Sequence, residues 1–203
     1  MSRLTRSPTV QTLIVMAVVF LFQTVLQPFQ LVYHTLFVLG PTFPVRPWSL
    51  VTSIYSHAGL SHLLGNALVL VPVGLAVESF TSRIRYHAFF VLTGAIAGLT
   101  EVVLTGHGVL GASAAIFALL GYLVAGNPVS GSVLDSFDLG RRAQLAIFAA
   151  LAVVVTFATG APGVALIAHF AGFLLGLVGG RLGVLGTTEP RRRTEVTNRP
   201  PGY

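Results

Sequence analysis

The sequence reads as long apolar runs broken by rare charges. Residues 7–45, 47–77, 86–100, 102–134 and 143–180 contain no Asp, Glu, Lys or Arg. A helix needs about 20 mostly apolar residues to cross the ~30 Å hydrocarbon core of a bilayer. With glycines, prolines and polar clusters as punctuation, the runs predict six spans, at about 9–27, 58–79, 86–104, 113–125, 143–159 and 164–182. Residues 28–56 read as a long first loop. Pro28, Pro41, Pro44 and Pro47 prevent one spanning helix there. Its Trp48 and several Phe suit the bilayer interface. The expected fold class is an all-α membrane protein, a six-helix transmembrane bundle over residues 1–186. Residues 187–203 are polar and contain proline, and read as a disordered tail.

Composition agrees and narrows the class. Of 203 residues, 54% are hydrophobic and 9% charged, against roughly a quarter charged in an ordinary soluble domain. A soluble globular fold would lack the polar residues to cover its surface, and disorder of the bulk would need low hydrophobicity. There is no Cys, so disulfides and thiolate metal sites are excluded.

The net charge of +6 rests on 12 Arg and no Lys. In a six-span topology Arg3, Arg6, Arg83, Arg85, Arg141, Arg142, Arg181, Arg191, Arg192, Arg193 and Arg199 all fall on one side, and only Arg46 on the other. The positive-inside rule then makes both termini cytoplasmic. The basic surplus is a topology signal and calls for no nucleic acid. The expected setting is the lipid bilayer, as a multi-pass protein of the plasma membrane. A secretory signal peptide is the rival reading of residues 1–27. That run is long and lacks a small-x-small cleavage site, so a retained first helix is expected.

A polar side chain inside an apolar span is expensive and usually functional. His62 and Asn66 are four apart and share a face of the second span. His57 joins them only if it precedes the regular helix, which Gly59 allows. The cluster reads either as interfacial histidines or as hydrogen-bond donors aimed into a bundle. A three-His metal site of His57, His62 and His169 is a third option, but it leaves Asn66 and Ser113 unexplained, and no metal is expected.

Gly106, Gly108 and Gly111 suit irregular backbone dipping into a bundle, and Ser113 then opens the fourth span. Ser113 reads either as a capping or packing serine or as a nucleophile at a helix N-terminus. There, backbone N–H groups and the helix dipole favour an oxyanion. In the last span, Gly172 and Gly176 form a small-xxx-small face with His169 on the same side. Ala114, Ala118, Gly121 and Ala125 give the fourth span a comparable face. If the two faces meet, Ser113 and His169 become neighbours, and His169 is best explained as a general base. His34, His87 and His107 read as interfacial. Glu78 reads as a structural contact near a helix end, facing Arg83 or Arg85. Glu101 lies near another end.

Three motifs in order resemble the rhomboid intramembrane serine proteases. Pro47-Trp48 and then His57-Ala-Gly-Leu-Ser-His62-Leu-Leu-Gly-Asn66 are similar to the family's HxxxxHxxxN segment and its lead-in. Gly111-Ala112-Ser113-Ala114 is similar to its GxSG motif, and Ala168-His169-x-x-Gly172-x-x-x-Gly176 to its catalytic-histidine helix. Gly74 and Glu78 match a GxxxE ending of the second helix. The resemblance covers roughly residues 47–180.

It implies a serine endopeptidase acting on single-span transmembrane protein substrates, without metal or organic cofactor. Ser113 is the implied nucleophile and His169 its base. His62, Asn66 and the Ser113 backbone N–H are the implied oxyanion donors, with His57 supporting the second helix. Phe117 stands where the family often has Tyr, placed to pack on the His169 ring. Two departures stand out. Ala114 replaces the second Gly of GxSG, so its methyl is expected to crowd the fourth and sixth spans. Trp48 is followed by Ser49, not by the family's Arg. Two other classes fit the composition: a non-catalytic binder of transmembrane helices, which would lack the Ser–His pair, and a small transporter, which would need an intramembrane acid.

Overall fold

A computed structural model describes residues 6–126, 143, 146 and 165–186. Seven α-helices run through them in the order α1 (Pro8–Leu26), α2 (Gln30–Phe37), α3 (Ser49–Tyr55), α4 (Leu60–Glu78), α5 (Arg83–Thr105), α6 (Ser113–Gly126) and α7 (Leu166–Leu182). A 3₁₀ turn, Phe43–Val45, lies between α2 and α3. The five longer helices match five of the expected spans within a few residues. The sixth expectation, at 143–159, falls outside the described residues, as does the tail at 187–203.

The stretch 28–56 is more ordered than a loop. Its prolines stop a spanning helix, but the windows between them are long enough for α2 and α3. Trp48 ties the two together: its Nε1–H donates to Thr35 O at 3.1 Å, and Thr52 Oγ donates to Leu36 O. Arg46 donates to His34 O at 3.2 Å and to Thr42 Oγ1. The segment is pinned from within by these bonds, although Arg does not follow Trp48 directly.

α1, α4 and α5 are long and apolar enough to cross a membrane. They show it by the side chains they leave outside: Leu21 and Val25 on α1, Leu68 on α4, and Leu92 and Val103 on α5 are exposed. α6 is the opposite. Its side chains are buried on every side, including Ala114, Ala115, Ile116, Phe117, Ala118 and Leu119. A helix apolar all round belongs at the centre of a bundle, and α6 packs against α4, α5 and α7.

The α6–α7 contact is where the two small-residue faces meet. A Cβ added at Gly172 would collide with Ala114 O, and one at Gly176 with Ala118 O. Gly121 and Gly180 are held as closely by the opposing backbone. Only glycine permits that approach. The Ala114 side chain is buried in a cluster of small residues with Ala97 of α5 and Ala168 of α7, and its backbone carbonyl faces Gly172.

Glu78 corrects another expectation. Its Oε2 accepts from Ser7 Oγ at 2.7 Å and from Thr9 N at 3.0 Å. It therefore caps the start of α1, whose first N–H groups lack helical partners. Arg85 instead donates to Gly186 O.

Candidate active site

The backbone before Ser113 is irregular and held by its neighbours. Gly106 takes φ 71° and closes α5 by donating to Val102 O. Leu39 and Val109 then exchange backbone hydrogen bonds of 3.0 and 2.8 Å as an isolated bridge. Gly111 N–H donates to Ser53 O at 2.8 Å. Irregular backbone at depth persists only when its polar groups are met by protein, and the stretch 28–56 supplies those partners.

Ser113 is the first residue of α6 and is half-buried. His169 lies in the first turn of α7 and is buried. Its Nε2 is 2.8 Å from Ser113 Oγ, a hydrogen bond between residues 56 apart in sequence. Phe117, one turn along α6 from Ser113, stacks on the imidazole with ring centroids 4.5 Å apart and planes at 17°. His169 Nδ1 is buried and makes no hydrogen bond. Among the described residues the ring is held by the face of Phe117 and not by a carboxylate.

His62 approaches from α4. A Cβ at Gly111 would lie 2.8 Å from His62 Cε1 and 3.0 Å from its Nε2, and 3.9 Å from Ser113 Oγ. Gly111 also has φ 130°, a backbone region that L side chains rarely adopt. Glycine is thus needed twice, for the turn and for the imidazole above it. The Ala58 N–H points at His62 Nδ1 over a long 3.5 Å. An accepting Nδ1 puts the ring proton on Nε2, the atom that faces Gly111.

Asn66 is buried one turn further along α4. Its Nδ2 donates to His62 O at 3.0 Å, which uses one of its two N–H groups. His57 precedes α4 and packs edge-on against His62 at 5.1 Å between ring centroids. Its Nδ1 is 3.2 Å from Tyr55 O, and its own N–H donates to Gln23 Oε1 at 2.8 Å. Burial, and after it the charge of His62, lowers the His57 pKa from 6.5 to about 4, against a small opposing effect of the Tyr55 carbonyl.

Some of these groups carry no sequence signal. Gln23 is buried in α1 and donates from Nε2 to Tyr33 OH at 3.0 Å. It thus joins α1, α2 and the start of α4. Glu101 is buried in α5, and its Oε2 accepts from Ala168 N at 2.8 Å. The other histidines stand apart. His34 and His107 are exposed, and His87 meets Gln11 Oε1 at 2.9 Å near the start of α5. Among the described residues, no three His, Cys, Asp or Glu side chains cluster as metal ligands would.

A model of the Rhomboid domain matches residues 44–185. The chain belongs to the rhomboid family. The match takes in all of the Ser113, His169, His62 and Asn66 positions. With its apolar helices, it makes the chain an integral membrane protein with an all-helical bundle. Among rhomboid relatives, the rhomboid protease GlpG of Salmonella paratyphi A is 29% identical over 158 residues, 76% of this chain and 54% of that protein. The rhomboid protease GluP of Bacillus subtilis is 36% identical over 77 residues, 38% of this chain and 15% of that protein. RHOMBOID-like protein 5 of Arabidopsis thaliana is 28% identical over 133 residues, 64% of this chain. The chain spans 41% of the length of that relative and 39% of RHOMBOID-like protein 1 from the same plant.

Proposed function

We propose that this rhomboid-family protein is an intramembrane serine endopeptidase. It cleaves single-span membrane proteins in or near their transmembrane segment, with Ser113 as nucleophile and His169 as general base. The observation that carries the reading is the 2.8 Å contact between His169 Nε2 and Ser113 Oγ. It brings a hydroxyl and an imidazole from two helices together at depth in a bundle, where either alone is costly.

The chemistry follows from the geometry. With the imidazole proton on Nδ1, Nε2 takes the Ser113 proton as Oγ attacks the scissile carbonyl. The carbonyl oxygen becomes an oxyanion. His62 Nε2–H, the free N–H of Asn66 and the Ser113 backbone N–H are the donors for it. The imidazolium then protonates the leaving amine, and water hydrolyses the acyl-enzyme by the same steps in reverse roles. Among the described residues no group bonds to Nδ1, so the site is read as a dyad, with Phe117 fixing the ring plane. The names of GlpG and GluP as rhomboid proteases support the class.

The helix of a substrate must open before its carbonyl can be attacked, because helical carbonyls are already hydrogen-bonded. As the family likeness implies, the substrates are single-span proteins, and those with locally weak helices open most readily. The arrangement of Arg supports six spans, with both termini cytoplasmic and the site toward the extracytoplasmic half of the plasma membrane.

A fluorophosphonate probe tests the reading. It should label the wild-type protein in detergent and leave Ser113→Ala unlabelled. Equal labelling of the two proteins, or none of either, refutes a Ser113 nucleophile.

A further inference from the structure

Glu101 is a buried acid that the proposed chemistry does not use. In apolar surroundings a carboxyl group needs a partner, and this one has found a backbone N–H on another helix. Its Oε2 accepts from Ala168 N at 2.8 Å. Ala168 is the third residue of α7, and the next residue is His169. His169 N donates to Ala165 O at 3.1 Å and so opens the intrahelical ladder. The N–H groups before it have no helical acceptor. The N-cap position is Ala165, whose side chain offers none. Glu101 supplies from α5 the acceptor that α7 does not carry itself.

We infer that Glu101 is a positioning residue for His169, fixing the register of the α7 N-terminus against the helices that carry the nucleophile. This rests on the dyad reading above. The surroundings favour such a role. Ala97, one turn before Glu101, packs with Ala114 and Ala168 in a patch of small side chains. There α5, α6 and α7 come close enough for a glutamate to span the gap. The imidazole itself has no hydrogen bond on Nδ1, so the ring depends on Phe117 and on where the backbone of α7 begins. An acidic group at a helix N-terminus also suits the helix dipole.

The reach of the side chain separates positioning from general stability. Glu101→Gln keeps an acceptor oxygen at the same distance. Glu101→Asp keeps the carboxyl group but withdraws it by one methylene. Wild type, both variants and Ser113→Ala are compared in proteoliposomes for kcat and KM on a single-span substrate, and for fluorophosphonate labelling rate. Glu101→Gln is expected within about threefold of wild type. Glu101→Asp is expected to lose ~10- to 100-fold in kcat and labelling rate at unchanged KM, the scale of a displacement of about 1 Å. Wild-type kcat in Glu101→Asp overturns the inference while leaving the dyad intact. So does an equal loss in both variants, since the acceptor at its original reach then counts for nothing. Failure of the wild type to react at Ser113 overturns the dyad first, and the positioning role with it.

Discussion

The Cα of Gly172 sits against the backbone carbonyl of Ala114, so α7 and α6 touch main chain to main chain one turn from the Ser113–His169 bond. A methyl at Gly172 has no room, and the helices must part to admit it. Overpacking of this kind costs ~1–3 kcal/mol. The larger consequence is geometric: a shift of about 1 Å at the dyad costs ~10²-fold in rate. Gly172→Ala is expected to lower cleavage by that order and to reduce the melting temperature in detergent. Gly65→Ala, with nothing within 4 Å of the added carbon, should leave both unchanged.

Gly111 is expected to be equally intolerant for a different reason. Its φ of 130° strains any side chain, and a methyl there meets the His62 ring. Displacing one oxyanion donor typically costs ~10²–10³ in kcat. Gly111→Ala should fall in that range, together with His62→Ala. The double variant should be little worse than either alone, because both remove the same donor. Independent, multiplicative losses in kcat would separate Gly111 from His62.

Phe117 is asked to hold an imidazole that has no orienting carboxylate. Phe117→Tyr keeps the stacked face and should retain most activity. Phe117→Ala removes it and leaves a cavity, a change that costs ~3–5 kcal/mol for a buried Phe. Its kcat should fall far more than that of Phe117→Tyr, with the Ser113 labelling rate falling in step. Equal rates for the two variants would show that the ring face does not set His169.

His57 predicts a pH dependence of stability. Its pKa in the folded protein is about 4, below the ordinary 6.5. As the pH falls below 6.5 the unfolded chain takes up a proton that the folded chain refuses. The stability that His57 contributes is thus complete above pH 6.5 and is lost on the way down to pH 4. Melting temperature in detergent should fall more steeply over that window in wild type than in His57→Gln. Parallel curves would contradict the assignment.

Much of the site was legible in the sequence because polar residues are conspicuous in an apolar helix. Ser113, His62, Asn66 and His169 were visible as such. The glycine and alanine spacings of 114–125 and 172–176 indicated which faces meet. Glu101 and Gln23 escaped for one shared reason. Their partners are a backbone N–H on another helix and the backbone N–H of His57, and main-chain groups have no signature in sequence. Glu78 was placed at the correct helix end but given the wrong partner, since a helix N-terminus competes for a carboxylate as well as an arginine does. The helices within 28–56 were hidden by prolines, which mark where a helix stops and not how much helix fits between them. The neighbours of the Ala114 methyl, Ala97 and Ala168, come from two other helices, and sequence does not show them.

The central claim is that Ser113 attacks with His169 as its base. The most direct measurement is the second-order rate of fluorophosphonate labelling at Ser113, located by peptide mapping, in wild type and His169→Ala reconstituted in lipid. The account predicts labelling of wild type at Ser113 alone and a loss of at least ~10²-fold in His169→Ala, the usual worth of a positioned general base. Labelling of His169→Ala at the wild-type rate would contradict it.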